Sequence, residues 1–218
     1  MLNLQKRIMA CEKKKDEFVI QSKQNIYEKI SNKNSILMSD KQKNHFKDIT
    51  LEFIKDVNPD VNLGIENAKS ITKNGITYRV NSKNKIMWKN NEENNGKWFL
   101  NFMGGKLKRL PEIHSATGVN MADFKYYPVK GKPYFLETKE IILEEGQYKA
   151  GKNNIVHKLE ENPNQANVFL IDVTGGNLTD KEILERVHVV FYSKSTRNMK
   201  KTLIIKNREE LFGIFTDI

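Results

Sequence analysis

The stretch from Asp123 to Lys139 reads DFKYYPVKGKPYFLETK and predicts a β-hairpin. Aromatic residues are frequent in both halves, and the segment Pro128–Lys132 between them has the proline and glycine content of a turn. If the chain folds back at Lys130, the residue numbers of paired positions sum to about 260, which places Asp123 opposite Glu137. Because side chains alternate along a strand, Glu137 and Lys139 lie on the same face of the hairpin.

This face combines charges with apolar neighbours. Glu137 and Lys139 share it with Phe135 and Ile141, so the charges are expected to be partly buried, and buried charges must be paired or bind a ligand. Directly opposed carboxylates repel each other. Asp123 and Glu137 therefore need a cation between them, either Lys139 or a divalent metal. The competing interpretation is an ordinary surface ion pair, because Glu-x-Lys occurs by chance in Lys-rich proteins.

The chain on both sides of the hairpin predicts alternating helices and strands. The helix before the hairpin is closed by glycines, and Thr179 with Glu182 forms a capping box that opens a later helix. The predicted helices are Glu92–Phe102, Asn153–Glu161 and the one that begins after Thr179; the predicted strands are Ile76–Val80, Lys85–Trp88, Lys106–Ile113, Met121–Tyr127, Tyr134–Ile141, Val168–Val173, Thr202–Lys206 and Leu211–Phe215. This order predicts an α/β (α+β) fold, a mixed central sheet with flanking helices.

The N-terminal third has a different pattern. No proline or glycine occurs from Leu2 to Val57, and apolar residues recur at helical spacings, for example at Ile26 and Ile30. Asn58 and Pro59 then break the pattern. We therefore predict a helical N-terminal region over 1–57, a linker over 58–75 and a separate α/β domain over 76–218.

The 218-residue chain is basic, with 37 Lys and Arg against 27 Asp and Glu and a formal net charge of +10. A positive surplus favours polyanionic partners such as nucleic acid, although a Lys- and Asn-rich composition explains the charge equally well. A single cysteine, Cys11, excludes an intramolecular disulfide and a multi-cysteine zinc site. We expect neither a membrane span nor a secretory signal, because the sequence has no long apolar run and no apolar segment near Met1.

Further candidate residues lie outside the hairpin. His157 falls on the predicted short helix and could act as a general acid or base near a phosphodiester. Lys194, Ser195 and Arg197 form a basic, hydroxyl-rich segment suited to phosphate contacts, although a solvated loop would have the same composition. The sequence contains no Walker loop, dinucleotide fingerprint or serine-hydrolase elbow.

Two resemblances give these residues a chemical meaning. An Asp followed by Glu-x-Lys on the next strand is the pattern of PD-(D/E)xK nucleases, in which the acids hold Mg²⁺ and the lysine orients or activates the attacking water. The region 76–217 as a whole resembles the C-terminal tRNA-nuclease domain of CdiA-type contact-dependent toxins, and similar domains occur in phage minor head proteins and mobile-element proteins. The pieces that carry this second resemblance are Tyr78-Arg-Val-Asn, Phe102-Met-Gly-Gly, Gly118-Val-Asn-Met-Ala-Asp123, Phe135-Leu-Glu-Thr-Lys-Glu-Ile, Asn153-Asn-Ile and Asn164-Gln165-Ala-Asn-Val-Phe-Leu-Ile-Asp-Val.

The resemblance implies a nuclease-like domain that cleaves RNA, with tRNA as the expected substrate. Asp123, Glu137 and Lys139 would be active-site positions, Asp123 and Glu137 would hold Mg²⁺, and Asn153 and Gln165 would lie near the phosphates. It also implies a toxin that acts in the cytoplasm after delivery, with an immunity protein as a partner. The sequence departs from the family in having Ala122 where a proline usually precedes the Asp, and in its longer hairpin loop.

Several alternatives remain open at this point. Many bacterial tRNase toxins adopt the metal-independent barnase/EndoU/colicin/RelE fold, in which Lys, His and hydroxyl groups promote attack by the ribose 2′-OH. The PD-(D/E)xK pattern also fits a Mg²⁺-dependent DNase. A third alternative is a catalytically silent module that binds nucleic acid or serves as a phage structural component.

Overall fold

The computed structural model of the chain describes residues 38–43, 45–55, 58–66, 72–73, 76–77, 90–110, 122–161, 164–196 and 201–218. The compact unit that contains the sheet begins at Ser39 and extends to Ile218. The predicted helices N-terminal to residue 38 and the predicted strand Lys85–Trp88 lie outside the described residues.

The described elements alternate between helix and strand along the chain. The first part contains α1 (Asp40–Lys43), β1 (Phe46–Asp48), α2 (Thr50–Lys55), β2 (Asn58–Glu66), β3 (Thr72–Lys73) and β4 (Ile76–Thr77). The second part contains α3 (Asn90–Met103), β5 (Gly104–Arg109), β6 (Phe124–Tyr127), β7 (Tyr134–Glu140), α4 (Asn154–Glu160), β8 (Val168–Asp172), a short 3₁₀ turn (Thr174–Gly176), α5 (Asp180–Tyr192), β9 (Thr202–Asn207) and β10 (Glu210–Asp217).

Eight of these strands form one mixed sheet in the order β1-β10-β9-β8-β7-β6-β5-β2. Strands β5, β6 and β7 form an antiparallel meander, and β8 then runs parallel to both β7 and β9. At the two edges of the sheet, β1 pairs antiparallel with β10 and β2 pairs parallel with β5. The predicted α+β class, a mixed sheet with flanking helices, is confirmed.

Helix α3 packs its apolar residues onto one face of the sheet. Phe99, Leu100 and Met103 are buried in a cluster that includes residues of β5 to β10. The helix ends where Gly104 and Gly105 adopt positive φ values of 67° and 75°, which a residue with a Cβ rarely adopts. The predicted glycine stop is confirmed, and it turns the chain directly into β5.

The parallel strands in the middle of the sheet are buried on both faces. All five residues of β8 are buried, as expected for a strand that is covered by helices on both sides.

The predicted capping box is present at the start of α5, where Thr179 and Glu182 each bond the other's backbone N–H. Helices α4 and α5 contact each other and bury their apolar residues, namely Ile155, Val156, Leu159, Ile183, Leu184, Val187, Val190 and Phe191.

The predicted domain boundaries are wrong. Strand β1 lies within the region 1–57 that was predicted to be helical, and β2 begins in the predicted linker 58–75, yet both belong to the main sheet. The side chain of Phe46 in β1 is 1% exposed. The sheet therefore depends on segments well before residue 76, because its two edge strands come from them.

Candidate active site

The β6–β7 hairpin brings Asp123 and Glu137 together. Phe124 pairs with Leu136 and Lys125 with Phe135, which is the predicted register. Continued by one residue beyond the start of β6, this register places Asp123 opposite Glu137. The backbone N–H of Asp123 donates to Glu137 Oε2 at 3.0 Å. In return, Asp123 Oδ2 accepts from the backbone N–H of Thr138 at 2.9 Å and from its hydroxyl at 2.6 Å. These bonds fix both carboxylates at one end of the hairpin.

Lys139 supplies a cation to Glu137, one of the two acids. Its Nζ lies 2.8 Å from Glu137 Oε1, and the two side chains are 13% and 4% exposed. The same Nζ donates to Gln165 Oε1 at 3.3 Å. Gln165 lies in the segment just before β8, so the structure joins the Glu-x-Lys strand to a residue that is distant in sequence.

A second ion pair, which is buried, influences Asp123 electrostatically. Arg109 Nη2, at the end of β5, lies 2.7 Å from Glu92 Oε2 in the first turn of α3, and their side chains are 1% and 8% exposed. The charges of both residues act on Asp123, with opposite effects. Neither was identified from the sequence. The available signal was that Arg109 lies two residues after Leu107 and so shares its core-facing side of the strand, where a charge must be paired.

The environment favours the protonated forms of the two acids. Burial raises the pKa of Glu137 to about 7, with a further contribution from the charge of Asp123, and the contact with Lys139 opposes this increase without cancelling it. Burial also raises the pKa of Asp123, and the charge of Glu92 acts in the same direction, whereas the bonds from Thr138 and the charge of Arg109 oppose it. Bringing acids together in a poorly solvated place is typical of functional sites.

The donor set suits a hard divalent cation. Mg²⁺ prefers oxygen ligands, and it is commonly bound through one or two carboxylates together with substrate phosphates and water. Glu137 is a buried carboxylate and Asp123 a partly buried one, and the ionised forms of both would be stabilised by such a cation. Within the described ranges, no three or more His, Cys, Asp or Glu side chains are grouped to hold a metal ion.

The other predicted site residues lie elsewhere. His157 and Asn153 are exposed and line a cavity of about 700 Å³ that is also bordered by Glu140, the residue after Lys139. Lys194 and Ser195 are exposed in the turn that follows α5, where the hydroxyls of Ser193 and Ser195 are 2.8 Å apart. Arg197 lies outside the described residues. The structure thus brings Gln165 to Lys139, but among the described residues it gives His157 no contact with Asp123, Glu137 or Lys139.

No family model, no curated protein and no solved structure matches this chain. In the part of the chain that the structure describes, there is no helix of sufficient length and apolar character to cross a membrane.

Proposed function

We propose that Asp123, Glu137 and Lys139 form the active site of a nuclease of the PD-(D/E)xK type. The observation that carries the proposal is the convergence of three charged groups at one end of the β6–β7 hairpin. Glu137 is buried, Asp123 and Lys139 are partly buried, and Glu137 is bonded to both of them. The chain order, α3 followed by the β5–β6–β7 meander, α4 and the parallel strand β8, gives this constellation the αβββαβ arrangement that such nucleases use.

The burial of these charges also supports a function. Two acids with raised pKa values reduce the stability of the fold as pH rises towards those values, and a bound cation would offset this loss. An exposed ion pair on a hairpin, the competing interpretation, would have left Glu137 and Lys139 in solvent. Here Glu137 is 3% exposed, and its partner Lys139 is held by a second contact to Gln165.

The roles of the residues follow from their chemistry. Asp123 and Glu137 would hold the cation, which when bound makes the phosphorus more electrophilic and lowers the pKa of bound water. Lys139 would donate from its ammonium to the attacking water or to a phosphate oxygen, and Gln165 and Glu137 orient that ammonium. Arg109 would hold Glu92 in place and oppose the increase in the pKa of Asp123.

RNA, and in particular tRNA, is the substrate that we propose from the resemblance to toxin domains. The net charge of +10 favours binding to a polyanion. A DNase is the alternative with the same active site. The metal-independent mechanism receives less support, because His157, its expected general acid or base, is exposed on α4 and separate from the acid cluster.

The first test is a cleavage assay with total tRNA, total RNA and plasmid DNA, each with Mg²⁺ and with EDTA. We expect cleavage with Mg²⁺ and none with EDTA. Glu137→Gln and Lys139→Ala should each reduce the rate by about 10²–10⁴-fold, since each removes a group that acts on charge developing in the transition state. Lys181→Ala, at an exposed lysine of α5, is the matched control and should cleave normally.

Thermal melts of each variant distinguish a chemical defect from unfolding, because removing one member of a buried charge pair can cost about 3–5 kcal/mol.

Asp123→Asn separates the metal-dependent mechanism from the metal-independent one. With a bound metal, higher Mg²⁺ or Mn²⁺ should partly restore its activity. Activity in EDTA with products ending in a 2′,3′-cyclic phosphate would instead establish attack by the 2′-OH. Full activity of both Glu137→Gln and Lys139→Ala would show that the cluster is structural.

A further inference from the structure

The outer surface of the β5–β6–β7 meander differs from its inner surface. On the inner surface, Leu107, Phe124 and Leu136 are completely buried beneath α3. The residues that alternate with them are buried only in part or are exposed, and they are basic or aromatic. We call this set the open sheet face; it consists of Lys106, Lys108, Lys125, Tyr127 and Phe135.

Strand register places these five side chains next to one another. Lys108 pairs with Lys125, and Lys125 pairs in turn with Phe135, which forms one row across the three strands. Lys106 pairs with Tyr127 in the adjacent row. Directly paired side chains on one face of an antiparallel sheet are about 4.5–5.5 Å apart at Cβ. The open sheet face is therefore a continuous patch of three lysines and two rings.

Lys125 lies between the two rings. Its Nζ is 5.5 Å from the ring centroid of Tyr127 and 5.8 Å from that of Phe135, which is within the range of a cation–π interaction. Phe135 is 49% exposed despite being a large apolar side chain in a strand. One exposed ring and one partly exposed ring interleaved with lysines are an unusual composition for a surface that only faces water.

The open sheet face continues into the proposed active site. Phe135 and Glu137 are two residues apart on β7 and project from the same face of the sheet. Lys125 lies two residues after Asp123, which immediately precedes β6. A strand of nucleic acid lying along β6 and β7 would thus extend from the rings towards the acids.

We propose that the open sheet face binds single-stranded nucleic acid and guides it into the active site. The lysines complement the phosphates, and the ring faces of Tyr127 and Phe135 suit stacking with bases. Stacking of this kind requires bases that are not already paired inside a duplex. The inference rests on the proposed nuclease function and adds to it a preference for unpaired segments, such as loops and ends.

The test measures binding rather than cleavage. Fluorescently labelled 12-residue oligonucleotides of DNA and of 2′-O-methyl RNA, single-stranded and as duplexes, are titrated with the full chain in EDTA. These conditions prevent both metal-dependent hydrolysis and attack by a 2′-OH. We expect single strands to bind more tightly than duplexes of the same length and sequence.

Substitutions then locate the binding surface. Tyr127→Leu combined with Phe135→Leu keeps apolar side chains but removes both rings, and should weaken binding of single strands by at least about fivefold per ring, the lower end of what one stacked base contributes. Tyr192→Ala is the control, because this exposed ring contacts His45 beside β1 at the opposite edge of the sheet. It should bind like the wild type.

The lysine contribution has its own readout. Lys125→Ala should reduce the slope of log K against log salt concentration by about 0.7, the value for one phosphate contact in a single strand. Lys181→Ala should leave the slope unchanged. A ring double variant that binds like the wild type, or duplexes that bind as tightly as single strands, would overturn the inference.

These outcomes are separable from those of the nuclease assay. If Lys139→Ala abolishes cleavage while the ring variants bind normally, the nuclease proposal stands and the open sheet face is not the docking surface. If the ring variants lose binding but the wild type cleaves no nucleic acid, the surface binds as inferred and the catalytic proposal fails.

Discussion

Glu137 has two neighbours of opposite charge, and its protonation depends on the balance between them. Lys139 stabilises the carboxylate, whereas burial and the carboxylate of Asp123 favour the acid, and the result is a pKa of about 7 against an ordinary value of 4.5. A cation bound at the site would add positive charge and favour ionisation. If the proposed metal site is correct, Glu137 would release a proton on binding the metal ion near neutral pH.

The first prediction concerns the stability of the metal-free protein. The pKa of Glu137 is 4.5 in the unfolded chain and about 7 in the folded protein. Between these values the folded protein binds more protons than the unfolded chain, so the free energy of unfolding should decrease as pH rises from about 4.5 to about 7. Urea unfolding in EDTA at several pH values measures this trend. Glu137→Gln should make the dependence shallower, and the remaining decrease includes the contributions of Asp123 and Asp48, whose pKa values burial also raises. An equally steep decrease in the variant would contradict the pKa assigned to Glu137.

At this scale the sequence identified Asp123, Glu137 and Lys139 because a hairpin has simple geometry. A turn centred on Lys130 determines the pairing, and alternation determines the face. Gln165 was named as a residue near the phosphates, but its contact with Lys139 could not be predicted, since it depends on how the segment before β8 folds back. Glu92 was missed because a glutamate in the first turn of a helix is ordinary, and nothing local shows that Arg109 reaches it.

At the scale of elements, the Glu92–Arg109 pair fastens α3 to β5 beside the acid cluster. The two side chains are almost completely buried and lie 2.7 Å apart. Buried ion pairs contribute little net stability, but losing one partner leaves a buried charge without its main compensation. The charges of Glu92 and Arg109 therefore have two effects. They hold α3 against β5, and they act on Asp123.

The second prediction is that Arg109→Met reduces the free energy of unfolding by about 3–5 kcal/mol. Adding Glu92→Gln should restore a large part of that loss, because a neutral amide then replaces the carboxylate that has lost Arg109. A double-mutant cycle by urea denaturation measures the coupling. If the two losses simply add, the pair does not hold the helix and the strand together. Lys97→Met is a suitable comparison, because Lys97 forms an exposed pair with Glu93 on the same helix, and it should change stability by less than about 1 kcal/mol.

The elements that the sequence predicted well are those with a strong local signal. The apolar run of β8, the glycine stop after α3 and the capping box of α5 are all decided by neighbouring residues. Strands β1 and β2 were missed for a physical reason, since both are edge strands. An edge strand has one unpaired side and can be short or contain proline, as β2 does at Pro59. Their strand character comes from β10 and β5, which lie far away in sequence.

At the scale of the whole molecule, N-terminal segments supply the two edge strands of the sheet. Phe46 in β1 stacks on Phe191 of α5 at 5.2 Å and meets Phe215 of β10 edge-on at 5.4 Å. The hydroxyl of Thr50, which is completely buried, accepts from the backbone N–H of Ile214 at 2.7 Å. One short segment thus covers the free edge of β10 and completes an aromatic cluster between the sheet and α5.

The last prediction tests this closure with two fragments and one substitution. The fragment 39–218 contains all eight strands of the sheet and should unfold in a single cooperative transition. The fragment 58–218 lacks β1 and α2, exposes the edge of β10, and should be aggregation-prone or lack a cooperative melt. In the full chain, Phe46→Ala should cost about 3–5 kcal/mol, as expected for removing a completely buried phenylalanine, measured by urea denaturation. Equal stability of the two fragments, or a loss below about 1 kcal/mol for Phe46→Ala, would show that the sheet is held together without β1, and the boundary near residue 58 would then be correct after all.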